Sequence, residues 1–135
     1  MMSFSESIFT CLLEKVVTAE GRASRAEYWW YALFTALIGP LIYGGFIALI
    51  YSVPSIENEI LKSLLAIIII LLVLCQILLL CSSVCVTIRR LHDIGKNGWW
   101  MFITFLPIVG NIILLVLLVT ESEKGLNQYG AYSDI

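Results

Sequence analysis

The sequence has few charged residues and a single histidine. Only 13% of its 135 residues are charged, whereas roughly 25% is usual for a soluble domain. A single histidine excludes a His-rich metal site. Apart from the Lys and Arg residues beside its apolar runs, the sequence has no basic stripe, which argues against nucleic-acid binding. The four cysteines (Cys11, Cys75, Cys81 and Cys85) form no disulfide framework, because three of them lie in an apolar run where a thiol acts as a small hydrophobic group. The sequence therefore predicts neither a metal nor a cofactor.

Apolar residues are abundant instead, at 60% of the chain with a mean hydropathy of +0.95. A helix that crosses a bilayer needs roughly 20 mostly apolar residues. Three segments qualify, namely 29–51, 64–88 and 99–119. With their connectors they use nearly the whole chain, so we expect an all-α integral membrane protein with one membrane domain over residues 1–135. The first residues lack the basic region of a cleavable signal peptide, so we expect the N-terminus to be retained.

Residues 1–20 predict a short amphipathic helix ahead of these segments. Phe4, Ile8 and Leu12 recur every four residues, and Ser3 followed by Glu6 fits a capping box. Such a helix lies in the membrane interface with its apolar face in lipid, or packs that face against the other helices. The sequence leaves both arrangements open. At the other end, residues 120–135 form a polar tail.

The first two apolar segments have clear boundaries. Ser24 followed by Glu27 predicts a second capping box, and Val53-Pro54-Ser55 ends the first segment. Gln76 lies near the middle of the second segment. An amide in lipid requires a partner, so we expect Gln76 to bond across to another helix. The alternative is a polar point in a translocation path.

The third segment is interrupted by Pro107 and Gly110. It forms either one kinked spanning helix or two short arms in a re-entrant hairpin, with irregular backbone that protein must bury. We favour the single kinked helix. Orientation follows from Lys and Arg, most of which precede the first segment or follow the second, while only Lys62 lies between them. The N-terminus is therefore expected in the cytoplasm.

The connector Arg89-Arg90-Leu91-His92-Asp93-Ile94-Gly95-Lys96-Asn97-Gly98-Trp99-Trp100 is the most distinctive stretch. Each of its residues has a structural explanation: the basic residues complement the dipole at a helix C-terminus, and the glycines stop the helix and form a turn. The residues assigned structural roles lie in this connector, at the interruption of the third segment and in the tail; they are Asp93, Gly95, Gly98, Pro107, Gly110, Asn127, Tyr129 and Gly130. The interfacial anchors are Trp29, Trp30, Trp99 and Trp100.

Two functional alternatives stand beside this structural explanation. Arginine matches phosphate with a planar fork, and a basic membrane edge attracts anionic headgroups. The candidate lipid- or phosphate-binding residues are Arg22, Arg25, Arg89, Arg90, His92 and Lys96. The second alternative is an acid/base pair of His92 and Asp93, but neighbouring residues on a helix point about 100° apart and no nucleophile stands beside them.

Four blocks resemble a family of small bacterial inner-membrane proteins, the domain of unknown function 805 family (YhaH-like). They are GRASRAEYWWYALF at 21–34, IRRLHDIGKNGWW at 88–100, LPIVGNIILLVLL at 106–118 and KGLNQYG at 124–130. The second block is the specific one. The chain departs from the family at 120–123, where TESE stands in place of a small Gly-Thr pair. The resemblance implies a multi-pass protein of the inner, or plasma, membrane and offers no catalytic residues to transfer.

The sequence thus predicts a non-catalytic membrane protein that acts through helix packing and a basic cytoplasmic face. Its expected partners are anionic lipid, a second copy of itself or another membrane protein, and no nucleic acid. The first alternative is an oligomeric subunit of a small transporter or channel, based on Gln76, Pro40 and Pro107 within apolar runs. A membrane enzyme that uses His92 and Asp93 is the second alternative.

Overall fold

The structure, a computed structural model, describes residues 2–131. Every regular element among the described residues is a helix, and the only β-type contact among them is an isolated bridge between Asn127 and Gly130. The α-helices are α1 (Phe4–Phe9), α2 (Arg25–Ser52), α3 (Glu59–Asp93) and α4 (Val109–Val119), with a π-helical segment (Thr10–Glu14) after α1 and 3-10 helices at Val53–Ser55 and Gly98–Phe105. The predicted all-α class is confirmed. Residues 132–135 of the predicted tail lie outside the described range.

The N-terminal helix is shorter than predicted, because α1 and its π-helical continuation end at Glu14 and not near residue 20. The predicted capping box is present, with the Ser3 backbone N–H donating to the Glu6 carboxylate over 2.7 Å. The helix packs inward through small polar residues: Ser7 Oγ donates to the backbone oxygen of Glu27 over 2.6 Å. Its apolar side faces outward, with Phe9 and Leu13 more than half exposed.

Helix α2 begins where the sequence predicted, since the Ser24 side chain accepts from the Glu27 N–H over 3.1 Å. Only this half of the second capping box is in place, because the Glu27 side chain turns inward towards Arg89. The helix ends at Ser52, and Val53-Pro54-Ser55 forms a 3-10 turn as the proline predicted. Together they make a continuous helical segment of 31 residues that is long and apolar enough to cross a membrane.

Helix α3 has 35 residues and is the second element long enough to cross a membrane. It begins at Glu59, ahead of the predicted segment 64–88, because the Asn58 side chain accepts from the N–H groups of Ile60 and Leu61. Its buried residues all lie between Leu79 and Asp93. The packed core of the protein therefore lies at the C-terminal end of α3, where Val86 meets Tyr31 and Cys11.

The third apolar segment is a hairpin of two arms, so our preference for one kinked helix is wrong. The 3-10 helix Gly98–Phe105 and α4 are separate helices, and between them Ile108 has a φ of +67°, which reverses the chain. The arms touch at Gly110, where a Cβ would lie 1.7 Å from the Ile103 carbonyl oxygen. Only glycine permits that approach. Pro107 removes a backbone donor at the same place, which favours a break in the helix there.

Candidate functional site: a buried ion-pair cluster

Five charged side chains meet at the C-terminal end of α3. They come from the loop before α2 (Arg22), from α2 (Glu27) and from the last turns of α3 (Arg89, Arg90 and Asp93), and each residue is at most 6% exposed. We call these five residues the ion-pair cluster. Buried charges are costly unless they are paired and hydrogen-bonded, so their partners define what this site can do.

One half of the cluster joins α2 to α3. Arg89 Nη1 donates to Glu27 Oε1 over 2.5 Å. The Cys11 sulfur lies 3.7 Å from that carboxylate oxygen and 3.7 Å from Arg89 Nη2, which adds the N-terminal helix to the pair. Burial, followed by the negative charge of Glu27, raises the pKa of the Cys11 thiol to about 12. Cys11 is therefore a neutral packing group and not a nucleophile.

The other half is built on Asp93. Arg22 Nε donates to Asp93 Oδ1 over 2.9 Å, and Arg90 Nη1 donates to Asp93 Oδ2. One carboxylate thus holds two guanidinium groups from different parts of the chain. Charge-assisted hydrogen bonds of this kind are roughly twice as strong as neutral ones and fix geometry as well as energy. Both carboxylate oxygens of Asp93 are therefore engaged by arginine.

The two arginines on Asp93 also bind the backbone of the hairpin and the tail. Arg90 Nε donates to the Leu118 oxygen over 3.1 Å and its Nη2 to the Thr120 oxygen, at the C-terminal end of α4. Those carbonyls have no partner within a helix, so Arg90 acts as their cap. Arg22 Nη1 donates to the Gly125 oxygen over 2.8 Å and to the Gly130 oxygen over 3.3 Å.

The tail adds contacts of its own. The Glu123 N–H donates to the Asp93 carbonyl over 3.0 Å, and Asn127 Nδ2 donates to the His92 carbonyl over 3.0 Å. The Tyr129 ring stacks on the His92 ring with centroids 3.8 Å apart and planes 3° from parallel. The tail therefore contacts the same end of α3 as the loop that carries Arg22.

The predicted lipid-binding residues fall into two groups. Arg22, Arg89 and Arg90 are buried in the ion-pair cluster and do not present a basic surface. Arg25 and Lys96 are exposed, while His92 is half-buried beneath Tyr129. The four predicted anchors are exposed near the same end of the molecule, namely Trp29, Trp30, Trp99 and Trp100. Lys96 Nζ lies 5.8 Å from the Trp100 ring centroid, within reach of a cation–π contact.

The residues assigned structural roles are distributed around the cluster. Gly95 has a φ of +69° at the end of α3, as a glycine stop requires. Gly98 packs on Ile88, whose side chain leaves no space for a Cβ. Asn127 forms a local turn, since its Oδ1 accepts from the Tyr129 N–H over 2.9 Å.

Sequence reasoning missed several members of the site. Glu27 was interpreted only as a cap, and Cys11, Ser122 and Glu123 received no role, although Ser122 Oγ accepts from Arg90 Nη1 over 3.1 Å. The sequence contained a usable signal for these contacts. A carboxylate at the start of one apolar helix and arginines at the end of the next require each other as partners if they are buried. Within the described residues no group of three or more His, Cys, Asp and Glu side chains is placed to hold a metal ion.

An open groove of about 1080 Å³ lies between α1 and the tail. Its floor includes Arg22 and Glu27, whose charged atoms are already bonded inside the cluster. Glu6, Glu14 and Lys15 also line the groove. The groove therefore presents carboxylates, which carry the same negative charge as the anionic lipid that the sequence predicted.

Comparison with known proteins gives a family and a location. The family model described as "Protein of unknown function (DUF805)" matches residues 16–131. The inner membrane protein YhaI of Escherichia coli strain K12 is 33% identical over 122 residues, which cover 90% of this chain and 91% of that protein. The inner membrane protein YhaH of the same strain is 26% identical over 119 residues, covering 88% and 89% respectively. No solved structure gives a significant match to the chain.

These relatives agree with the two long apolar helices, and together they make this a bacterial inner-membrane protein. The family match includes every residue of the ion-pair cluster and the described tail. The relatives' names state a location and no activity. By the extent of the family match and the identity to YhaI, the chain belongs to the DUF805 family of proteins of unknown function.

Proposed function

We propose that this is a non-catalytic, multi-pass membrane protein whose ion-pair cluster holds two transmembrane helices, a re-entrant hairpin and both terminal segments together at the cytoplasmic surface. The observation that carries the proposal is the pairing of all five buried charges with each other and with backbone carbonyls. A catalytic site requires groups that reach a substrate. Here the distinctive residues of the chain are used to fix its own architecture.

The lengths of the hairpin arms support the re-entrant arrangement. The arm Gly98–Phe105 has 8 residues and α4 has 11. At a rise of about 2.0 Å per residue for a 3-10 helix and about 1.5 Å for an α-helix, both arms are roughly 16 Å long. The hydrocarbon core is about 30 Å thick, so each arm reaches about halfway and neither can span it. The hairpin then enters and leaves the membrane on one side.

The side of the membrane on which the hairpin enters and leaves is assigned from the positions of Lys and Arg. Arg22 bonds to the tail, so the segment before α2 and the tail share one face of the membrane. Arg25, Lys96 and Lys124 are exposed cations near that face, whereas Lys62, in the first turn of α3, lies beside three acidic or amide residues (Glu57, Asn58 and Glu59). The positive-inside rule places the face with more Lys and Arg in the cytoplasm.

Association with anionic lipid is the activity that this architecture supports best. Arg25 and Lys96 remain available to headgroups, and Trp29 and Trp100 are exposed beside them at a depth where indoles favour the interface. Each cation near an anionic surface contributes about 1 kcal/mol. Arg89 and Arg90 contribute to folding and not to this attraction.

Native mass spectrometry of protein released from detergent with bound phosphatidylglycerol or cardiolipin tests the proposal. The Arg25→Gln/Lys96→Gln variant should retain about ten- to thirtyfold less anionic lipid, as two lost contacts of about 1 kcal/mol each imply. Lys62→Gln is the matched control, because Lys62 lies at the opposite end of α3 in a local pair with Glu59. Equal retention by all three proteins would refute lipid association at this face.

A further inference from the structure

Gln76 occupies an exceptional place in this chain. It is the central residue of α3, which runs from Glu59 to Asp93. It lies 14 residues from Lys62 and 13 residues from Arg89, about 20 Å along the helix from each charge. With those charges at opposite edges of the bilayer, Gln76 lies close to its midplane.

The Gln76 amide has no partner within the described part of the chain. The side chain is exposed and takes part in none of the hydrogen bonds of the structure. An amide carries two N–H donors and a carbonyl acceptor. In hydrocarbon no water satisfies them, so an isolated amide at this depth is unfavourable and favours association with another helix.

The pattern of burial along α3 indicates where that partner lies. Less exposed positions recur at alternating intervals of three and four residues, at Leu65, Ile69, Leu72, Leu79 and Ser83. Gln76 falls in this series, three residues before Leu79 and four after Leu72, yet it is exposed where the series predicts a covered position. Alternating steps of three and four are the register of a helix–helix seam. This less exposed stripe of α3 is therefore open at Gln76.

We propose that a second copy of this chain packs against α3 at this opening and that its Gln76 pairs with Gln76 of the first. Copies inserted with the same orientation place identical residues at identical depth. Glutamine is self-complementary, since each amide donates to the carbonyl of the other in a two-fold arrangement. A partner with a different sequence would need a polar group at the same depth, whereas a second copy provides one by symmetry.

The apolar surface around Gln76 fits the same partner. Within α3 the flanking residues Val73, Ile77 and Leu80 are all at least 40% exposed. No residue of α3 before Leu79 is buried inside a single copy. Helices in a membrane associate through such close packing together with a few interhelical hydrogen bonds.

The first test measures the oligomeric state of the full chain in lipid nanodiscs or bilayers. Single-molecule photobleaching at varied protein-to-lipid ratios counts the copies in each complex. Wild type should be dimeric. Gln76→Leu should raise the dissociation constant about three- to thirtyfold, the range expected for interhelical amide bonds, and Gln76→Asn should retain part of the association. Because Gln76 is exposed in one copy, Gln76→Leu should keep wild-type helicity by circular dichroism.

Cysteine cross-linking tests the contact directly. With Cys75→Ser and Cys81→Ser as background, Gln76→Cys should form a disulfide-linked dimer in membranes under mild oxidant. Leu78→Cys is the matched control, since Leu78 is exposed but points about 200° away around the helix. A monomeric wild type, a Gln76→Leu protein that dimerises as wild type does, or preferential cross-linking at position 78 would each overturn the proposal.

Discussion

Arg22 and Asp93 are separated by 71 positions in the sequence and form a buried ion pair with Nε and Oδ1 2.9 Å apart. Asp93 ends the longest apolar helix, and Arg22 precedes the first one. The same guanidinium binds the backbone of the tail at Gly125. This single arginine therefore connects the beginning of the membrane domain, the end of its second long helix and the tail.

The pair of Glu27 and Arg89 should be sensitive to loss of either charge. Glu27→Gln leaves a buried guanidinium without its carboxylate, and breaking a buried pair in this way costs about 3–5 kcal/mol. Reversible unfolding in mixed micelles, followed by tryptophan fluorescence, measures the change. The double variant Glu27→Gln/Arg89→Met should recover part of the loss because no unpaired charge remains. Glu59→Gln, at an exposed local pair with Lys62, is the control and should change little.

Asp93 should control the docking of the tail. Asp93→Asn weakens the bonds from both Arg22 and Arg90, which also hold the tail and the end of α4. We expect trypsin to cleave after the exposed Lys124 several-fold faster in this variant than in wild type. Glu121→Gln is the control, because that side chain is exposed. Equal cleavage of Asp93→Asn and wild type would show that the tail does not depend on the cluster.

The boundaries of α2 could be predicted because their signals are local. Ser24 before an apolar run and Val53-Pro54-Ser55 after it fix the ends of α2 through short-range hydrogen bonds and a missing donor. Most of the pairing of charges is not local. Arg90 and Asp93 are three residues apart on α3. The pairs Arg22–Asp93 and Arg89–Glu27 join residues 71 and 62 positions apart and depend on how the helices pack.

For a related reason, the sequence did not decide between a hairpin and a single kinked helix. The mostly apolar run of 21 residues from 99 to 119 has the length of one span, so length alone favoured a single helix. The decisive features are the positive φ of Ile108 and the contact of Gly110 with Ile103, which are tertiary. Pro107 and Gly110 located the interruption correctly, but they fit a kink as well as a reversal.

Gly110 should be intolerant of any side chain. In Gly110→Ala the new Cβ meets the Ile103 backbone at 1.7 Å, so the arms must separate. Overpacking of this kind costs about 1–3 kcal/mol, and a clash with backbone belongs at the upper end. The unfolding assay in mixed micelles measures it. Gly44→Ala is the matched control, since a Cβ at Gly44 meets nothing within 4 Å, and it should be neutral or slightly stabilising.

Cys11 should be inert and should make stability depend on pH. Burial raises the pKa of its thiol from 9.0 to about 12. Between those values the unfolded thiol loses its proton while the folded thiol keeps it, so the free energy of unfolding falls as pH rises from about 9 towards 12. Below pH 9 the thiol is protonated in both states and contributes no pH dependence.

Two measurements check this prediction. Cys11→Ala should flatten the decline of stability above pH 9, whereas Cys75→Ser, at an exposed thiol, should leave it unchanged. Mass spectrometry after iodoacetamide treatment at pH 8 should find Cys11 unmodified in folded protein and modified after denaturation. Rapid modification of folded protein would contradict the buried position.

The location of the tail tests the central claim most directly. Paired cytoplasmic and periplasmic reporters are fused after Gly130 and, in separate proteins, inserted into the connector at Glu57. If the hairpin is re-entrant and the cluster binds the tail beside Arg22, the reporter after Gly130 is active only in the cytoplasm and the reporter at Glu57 only in the periplasm. A periplasmic tail with a periplasmic connector would contradict the account, because Arg22 and Gly125 would then lie on opposite sides of the membrane.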